Sequence, residues 1–573
     1  MKKIFTLLLC CASLSISAQQ VNGSFDDAWE DCVPFVSGSY AAKAQGTQPV
    51  GWKAANVMGY YLNLGPLGSF WTGSTTVVSS TTGRSGNAAT MTNTETLGNA
   101  IPAYLSLGTP WNTANTSGGN ADGGSFSGLS FENKPDSITF YYKRSASDAT
   151  QPATVVAYLW SGSWSQANVP ANVAGSATKI TMTDRDRNII GMPTTLGGTI
   201  TNNNGKFIAS LGTDSLITDV QSDWTKKTIS FKYKDTETKP EKINIIFAAN
   251  DYFGEKSAIV SGNSLTIDDV ELIYNSSLSD LQFNDTTITD FAKDTYVYTI
   301  EGAYTKGCIT FTKDCVGGDV YERFDPSSNS YIITVEGDDY NSNPSNTHTY
   351  TVKFTKVIIN DGDDINEVGH ISNGTVVLNR TFKAGWNTVC LPFPVTAARL
   401  GTNVTTYTLS TPSGDAITFS KTSSAIAKNT PFLANFPSEE DNITFTNRTI
   451  NEDKTPLVKT CGDWTFTGSY EPSISMEGKW GVVNDGSKVR KGGASSTLKS
   501  TRAYLEYNGT ANVNEMRIII DGEETTITEI DGMPVGNFDV YNLQGVRVRQ
   551  NVNSLDGLNK GIYIVNGKKH IVK

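Results

Sequence analysis

The sequence predicts an all-β protein built from tandem β-sandwiches. Three segments alternate apolar with polar residues and are rich in β-branched and aromatic side chains, as half-buried strands are: Asp136–Lys143, Lys227–Lys234 and Glu241–Phe247. Turn-forming Gly, Asn, Ser and Thr recur about every eight to twelve residues, which is typical of sandwiches. Helical periodicity over a dozen residues is hard to find. Together these observations favour strands throughout the chain.

Length and charge restrict the number of domains and the kinds of partner. At roughly 100–200 residues per domain, a chain of 573 residues allows three to five domains. The formal charge of 46 − 57 = −11, without a basic block, argues against nucleic acid or an anionic membrane surface as the main partner. The chain has only three histidines, so chemistry that needs several histidine ligands has few residues to use.

The first eighteen residues have the pattern of a signal peptide. Lys2 and Lys3 precede the apolar run Ile4–Leu14, and small residues follow over Ser15–Ala18. Cleavage is expected before Gln19 or nearby. The pattern predicts an exported protein that is secreted or held at the outer cell surface, with the periplasm as the alternative.

The rest of the chain offers no second membrane signal. No other apolar run approaches the roughly 20 residues that span a bilayer, so no transmembrane segment is expected. Cys10 and Cys11 suggest a lipoprotein as a lesser alternative, although Leu9 stands where a small residue normally precedes a lipidated cysteine. Five cysteines follow the leader, and this odd number leaves at least one thiol free: Cys32, Cys308, Cys315, Cys390 and Cys461.

Two changes in composition divide the mature chain. One falls near Asn275–Ser277, after the strand-like run Leu265–Tyr274, and the other falls near Lys356. The acidic loop Asn360–Glu367 that follows lacks the Gly and the closing Glu of a helix-flanked calcium loop, so we expect it to be a solvated linker. The predicted divisions are a first β domain, a small sandwich of immunoglobulin type, a further β domain and a C-terminal β module, over residues 19–275, 276–356, 357–525 and 526–573.

The last fifty residues are expected to form two short hairpins. In Gly561–Lys573, the pair Asn566–Gly567 lies between two alternating segments. Asn-Gly is a strong signal for a two-residue turn, because both positions of that turn need a positive φ.

A search for catalytic motifs finds little. The chain has no G-x-S-x-G, H-E-x-x-H or C-x-x-C motif, no phosphate-binding G-x-x-x-x-G-K-[S/T] loop, and no G-x-G-x-x-G after a strand. A carboxylate pair for glycoside hydrolysis stays open, because any two of 57 acidic residues could converge at the required distance of roughly 5–10 Å. The plainer interpretation is that these carboxylates are solvated surface charge.

The two ends of the first domain carry adjacent acids, in Val21–Asp27 and in Leu265–Leu272. In a strand of period two, the pair Asp268 and Asp269 interrupts the alternation, so at least one of them is expected to face inward and to need a partner. If the first and last strands are neighbours, Asp26 and Asp269 with backbone carbonyls would give an all-oxygen set suited to Ca²⁺. An ordinary strand end with exposed acids is the alternative.

Tryptophan is concentrated in the first domain, where seven of the ten lie before residue 275. Trp71, Trp111 and Trp164 lie among loop-forming residues, and a flat indole there could stack on a sugar ring while neighbouring Asn, Thr and Ser bind its hydroxyls. Packing under a loop is the alternative for each of them. The tryptophans in strand-like contexts are expected in the core: Trp52, Trp160 and Trp224.

A series of segments along residues 20–275 carries a family resemblance: Asn22–Phe25, Pro49–Trp52, Gly83–Ala89, Phe131–Lys143, Asp223–Lys226, Lys239–Ala248 and Gly262–Val270. In this order they resemble the "putative carbohydrate metabolism domain" family of exported Bacteroidota proteins. The resemblance implies a jelly roll similar to carbohydrate-binding modules, whose N-G-x-F-E and I-D-D-V ends often frame a structural calcium ion. Asp26 stands here where those modules have Glu, with Asp268 and Asp269 at the other end.

Two later segments also resemble modules of the same bacteria. Gly385–Phe393 is similar to the start of a β domain marked by "GWNT-x-C-L-P-F". Val540–Val548 and Gly561–Lys569 resemble the C-terminal modules of secreted proteins, similar to type IX sorting domains. None of these families brings an established set of catalytic residues to transfer.

The sequence therefore predicts an exported, non-catalytic protein of the cell surface that binds a carbohydrate or glycan through its first domain. A glycoside-active hydrolase with a carboxylate pair in that domain is one alternative. A surface adhesin or spacer, without an aromatic-lined groove, is the other.

Overall fold

The computed structural model describes residues 21–572, apart from residues 33–45, 58–59, 64–65, 67–68, 73–75, 97–98, 113–122, 174–175, 193–198, 412–416, 484–487, 510–517, 522, 526–528, 531–532 and 535–536. The predicted signal peptide lies outside the described residues. The fold is all-β, as predicted, and consists of a succession of sheets. In the described part of the chain, no helix has both the length and the apolar character needed to cross a membrane.

Two sheets form the first region. The larger has nine strands, and the smaller has five. The strands of the larger sheet are Lys53–Ala54, Tyr104–Ser106, Leu129–Ser130, Ala153–Val173, Ser176–Thr183, Thr199–Ser210, Leu216–Ile217, Lys232–Tyr233 and Lys242–Ala248. The strands of the smaller sheet are Val78–Thr82, Asn87–Thr92, Ser137–Ser145, Gln221–Ser230 and Ser264–Ile273.

The two sheets pack face to face. Phe140 of the smaller sheet and Phe247 of the larger have ring centroids 5.1 Å apart, and Trp52 lies 6.1 Å from Phe247. Leu105 and Ile267 are fully buried in the same core. Successive side chains of a strand point to opposite faces of its sheet. In each sheet, the side chains on the face toward the other sheet enter the shared core, and this arrangement is a sandwich.

The other face of the larger sheet is also covered. Tyr158 and Asn244 lie opposite each other on adjacent strands, and the Asn244 amide donates to Tyr158 Oη at 2.8 Å. Ser125 adds a hydroxyl that accepts from the same amide at 3.0 Å. All three residues are buried. This second face is therefore buried as well, and it carries polar side chains next to apolar ones such as Ile246 and Trp160.

Short elements surround the first sandwich. The paired strands are Trp29–Asp31 with Thr47–Pro49, Tyr60–Asn63 with Ser69–Thr72, Thr94–Thr96 with Asn99–Ile101, and Thr109–Asn112 with Gly123–Phe126. The helical elements are the α-helix Asp186–Ile190 and the 3₁₀ turns Ala55–Val57, Gly212–Ser215 and Lys256–Ala258.

The second region contains a three-stranded sheet and most of a six-stranded sheet. The first consists of Leu278–Phe283, Thr286–Thr287 and Ile309–Lys313. The second consists of Val297–Ala303, Val320–Asp325, Ser330–Glu336, Thr347–Asn360, Ile371–Asn379 and Ile443–Ile450.

One strand crosses the boundary predicted near Lys356. Thr347–Asn360 pairs antiparallel with Ser330–Glu336 and parallel with Ile371–Asn379, so one sheet joins the second and third regions. In the acidic loop that follows, Ile365 is fully buried, and Val368, directly after the loop, is 7% exposed. This loop is therefore packed against the fold and is not the solvated linker that its composition predicted.

The third region adds two further sheets. One has six strands: Gly385–Val389, Thr405–Leu409, Ile417–Thr422, Phe432–Phe436, Ile518–Ile520 and Glu523–Thr525. The other has five: Val458–Cys461, Trp464–Ser469, Trp480–Val483, Lys488–Lys491 and Arg502–Tyr507. Smaller elements are the strand pair Ile474–Ser475 with Thr497–Leu498, the 3₁₀ turn Ile365–Glu367 and the α-helix Ala397–Leu400.

The C-terminal residues form a four-stranded sheet from Phe538–Asn542, Arg547–Val552, Gly561–Val565 and Lys568–Val572, preceded by the pair Glu529–Ile530 and Met533–Pro534. The predicted turn is confirmed: Asn566 and Gly567 have φ of 45° and 79° and join the last two strands. All five cysteines of the described residues are buried free thiols.

Candidate functional site

Trp164 provides a half-buried aromatic surface on the larger sheet of the first region. It lies in the strand Ala153–Val173 opposite Asn202 of Thr199–Ser210. The indole lies on the backbone at Gly205, where an added Cβ would come within 2.6 Å of three ring carbons. Because glycine has no side chain, the ring can approach the neighbouring strand this closely.

Polar groups hold the strand on either side of this ring. Asp184 Oδ1 accepts from the backbone N–H of Trp164 at 2.7 Å and from the hydroxyl of Ser163 at 2.9 Å. Asp184 Oδ2 accepts from Lys242 Nζ at 2.7 Å, and the Asp184 carboxylate is 1% exposed. Buried charges are stable when they are paired in this way. The Trp164 backbone is therefore fixed by a buried carboxylate that is paired with a half-buried lysine.

Asn202 completes the surface. Its Oδ1 accepts from the Gly205 N–H at 2.5 Å, and its Nδ2 donates to the Gly205 carbonyl at 3.2 Å. Asn202 is exposed, and so is its neighbour Asn203. We call Ser163, Trp164, Asn202, Asn203 and Gly205 the Trp164 surface. It combines a flat apolar ring with exposed amides and a hydroxyl, a combination that can hold a sugar by stacking and hydrogen bonding.

Trp111 is placed differently. It is fully buried in a small core with Val169 and Met182, and the guanidinium of Arg185 lies 4.3 Å from its ring centroid. The ring presents no exposed face to a sugar, so its arrangement matches the packing role that the sequence left open. A sugar contact at Trp111 stays a prediction.

Trp71 lies in the strand Ser69–Thr72, which pairs with Tyr60–Asn63. Its side chain lies outside the described residues, so its predicted sugar contact also stays a prediction. The core prediction is confirmed for Trp52 and Trp160, which are fully buried. Trp224 is half-buried, with Lys143 Nζ 4.8 Å from its ring.

The two ends of the first region meet, as the sequence suggested. The Val270 N–H donates to the Gly23 carbonyl at 3.0 Å, and an added Cβ at Gly23 would lie 1.8 Å from the Val270 oxygen. Asp268 is fully buried, which confirms that one of the adjacent acids faces inward. Its partners are the backbone N–H groups of Arg84 at 2.7 Å and Asp269 at 2.8 Å.

Arg84 and backbone N–H groups already satisfy oxygens of all three predicted calcium ligands. The Arg84 guanidinium donates to Asp269, and Asp26 Oδ1 accepts from the Asn87 N–H at 2.7 Å. Burial, with the negative charges of Asp269 and Asp26, raises the pKa of Asp268. Within the described ranges, no three His, Cys, Asp or Glu residues are grouped to hold a metal ion. The positive charge of Arg84 at Asp269 opposes a cation at the same carboxylate, and the calcium site stays a prediction.

A buried polar network was missed from the sequence. Asp186 Oδ2 accepts from the Tyr252 hydroxyl at 2.7 Å and from the Ser125 N–H at 3.2 Å. Burial raises the pKa of the Asp186 carboxyl, and it raises the pKa of the Tyr252 hydroxyl well above its usual range. The signal that could have revealed this network is Asn244, a polar residue inside the apolar run Lys242–Ala248, which indicates that the second face of that strand is also buried.

Comparisons with known proteins assign no family. No family model matches the chain, and no match was found among the curated proteins. The chain is similar to a solved structure from Bacteroides vulgatus titled a putative glycoside hydrolase, with a TM-score of 0.22 and 15% identity over 34% of this chain and 77% of that one. A second, from Bacteroides thetaiotaomicron, has the same description, with a TM-score of 0.20 and 15% identity over 35% of this chain and 57% of that one. These values are too low to support an argument about activity.

Proposed function

We propose that the protein is an exported glycan-binding protein of the cell surface and that its first region holds the carbohydrate. The observation that supports this most is the Trp164 surface, where a half-buried indole lies flat on Gly205 beside the exposed amides of Asn202 and Asn203. The proposal of export depends on the signal-peptide pattern of residues 1–18.

The arrangement suits a sugar because a pyranose has one face of C–H groups and a rim of hydroxyls. The indole supplies a large apolar area that costs little conformational entropy to hold in place. The backbone of Trp164 is held by Asp184, which is in turn paired with Lys242. A preorganised ring of this kind loses less free energy on binding than a mobile one.

A glycan array carried out with the full chain tests the proposal. We expect selective retention of one class of glycan by the wild type and its loss in Trp164→Ala. Trp224→Ala is the matched control, because Trp224 is another half-buried indole of the same region. Retention that is equal in both variants, or no retention by the wild type, would contradict a glycan site at Trp164.

The array also separates binding from catalysis. A hydrolase would release reducing ends from the retained glycan, whereas a binding protein leaves it intact. We propose the binding protein, and release of sugar by the wild type at a rate above that of buffer would replace this proposal with the hydrolase.

A further inference from the structure

A cavity of about 220 Å³ lies where the second region meets the third. It lies beside the strand Thr347–Asn360, which passes through both regions without a break. A space of this size has room for several water molecules, or for one small ring in their place. The lining residues that matter for its chemistry are Tyr304, Phe324, Lys356, Asp363, Asp364 and Glu367.

Stacked aromatic rings form the apolar wall. Phe324 and Tyr304 are parallel, with ring centroids 4.0 Å apart and an interplanar angle of 5°. Tyr304 also stacks on Tyr331 at 5.6 Å. The rings of Phe324 and Tyr304 are half-buried, so the wall keeps exposed area after this stacking.

The polar wall is fixed in place. Lys454 is 6% exposed, and its ammonium donates to the carbonyls of Asn366, at 3.1 Å, and of Val368. Asp364 Oδ1 accepts from the backbone N–H and from the amide of Asn366, each at 2.9 Å. The loop that carries Asp364 and Glu367 is therefore held by a buried lysine and by its own turn. Side chains on a rigid loop can bind a ligand with little loss of entropy.

The charges in the cavity select against an anionic ligand and offer partners of both signs. Lys356 contributes an ammonium group, and Asp363, Asp364 and Glu367 contribute carboxylates. One ammonium and three carboxylates sum to a net charge of −2, so an anion is repelled, while a cation is attracted by the carboxylates and leaves the ammonium without a partner. A hydroxyl group can accept from the ammonium and donate to a carboxylate, so a neutral molecule with many hydroxyls suits both. The aromatic wall adds the requirement of an apolar face.

We propose that this cavity binds a single neutral sugar ring, which stacks against Phe324 while its hydroxyls bond to Lys356, Asp364 and Glu367. This second site lies outside the first region. It does not depend on the Trp164 surface, and each site can fail without the other.

Saturation-transfer NMR tests the proposal with the full chain carrying Trp164→Ala, which removes the first proposed site. The probes are the methyl glycosides of glucose, galactose and mannose, with putrescine as the cation and glucuronate as the anion. We expect at least one neutral glycoside to bind. We expect Lys356→Gln with Glu367→Gln to weaken that binding at least tenfold, because both changes remove charged hydrogen bonds to its hydroxyls.

Lys353→Gln is the control, since Lys353 is an exposed lysine on the same strand but outside the cavity lining. It should leave the binding unchanged. Phe324→Leu tests the stacking wall. If that variant fails to fold, the double variant still tests the proposal, because Glu367 is exposed and Lys356 is half-exposed. Binding that the double variant leaves intact, preferential binding of putrescine or glucuronate, or no binding of any probe would overturn the proposal.

Discussion

The indole of Trp164 lies directly on Gly205, where an added Cβ would come within 2.5 Å of the ring. Gly205→Ala should therefore push the indole off the sheet and weaken glycan retention, while the backbone hydrogen bonds of Trp164 remain. Affinity chromatography on the glycan chosen by the array would measure this. Gly493→Ala is the control, because nothing lies within 4 Å of an added Cβ there. Unchanged retention by Gly205→Ala would show that the ring position does not matter.

Trp111 and Trp164 should differ in their effect on stability. Trp111 is fully buried, so Trp111→Ala should lower the free energy of unfolding by about 3–5 kcal/mol. Trp164 is half-buried, so Trp164→Ala should cost clearly less. Denaturant unfolding of both variants measures the difference. Equal losses would place Trp164 in the core and remove it as a sugar platform.

The junction of the two ends of the first region should be sensitive to a single methyl group. Gly23→Ala places a carbon 1.8 Å from the Val270 carbonyl oxygen, which belongs to the backbone and cannot rotate away. We expect a loss of at least about 1–3 kcal/mol, the usual cost of overpacking. A thermal unfolding curve that matches the wild type would show that the ends do not lie together.

A calcium ion and the contact between Arg84 and Asp269 are two explanations of how the two ends of the first region are held together, and experiment can separate them. Calcium that binds only the folded state would add roughly 2.7 kcal/mol to the free energy of unfolding at a concentration of 100 times its Kd. A chelator should therefore lower the Tm, and Asp269→Ala should remove that sensitivity. For protein shown to be metal-free at the start, identical curves with Ca²⁺ and with chelator would contradict the ion. The contact between Arg84 and Asp269 would then hold the two ends together, and Arg84→Ala should lower the free energy of unfolding.

Asp136 should make the contact between the first and second regions dependent on pH. Its oxygens accept from the N–H groups of Val316 at 2.8 Å and Asn275 at 2.7 Å, and burial raises its pKa to about 6. A carboxyl whose pKa is higher when folded binds its proton more tightly in the folded state. Its contribution to stability is therefore greatest below the unfolded pKa of about 4 and is lost as pH rises to about 6.

The measurement is the Tm of the wild type and of Asp136→Asn from pH 4 to pH 6.5. The difference between the two proteins should change over this window, because the variant lacks the titrating group. A constant difference would show that Asp136 has the same pKa in the folded and unfolded states.

The local features of this fold were readable from sequence because they depend on neighbouring residues. Asn566 and Gly567 form the predicted turn since both tolerate positive φ, and Asp268 faces inward because two adjacent acids break the alternation of its strand. The path of Thr347–Asn360 was not readable, because the acidic loop Asn360–Glu367 after it has the composition of a linker, while the strand pairs with residues that come after that loop.

The roles of the tryptophans depend on tertiary contacts. Trp111 and Trp164 have similar loop-like surroundings in the sequence, yet one is buried beneath Arg185 and the other lies on Gly205. The spacing of residues in the sequence predicts neither contact, because Arg185 and Gly205 lie outside the strands that hold Trp111 and Trp164. The buried pair of Asp186 and Tyr252 escaped prediction for the same reason.

The affinity of the retained glycan for wild type, Trp164→Phe and Trp164→Ala tests the central claim most directly. In isothermal titration, Trp164→Phe should keep part of the affinity, because it keeps a flat ring. For Trp164→Ala the dissociation constant should rise roughly tenfold or more, which is a loss of about 1.4 kcal/mol of binding free energy. The Tm of Trp164→Ala should remain close to that of the wild type. Equal dissociation constants for wild type and Trp164→Ala would contradict a carbohydrate site at this surface.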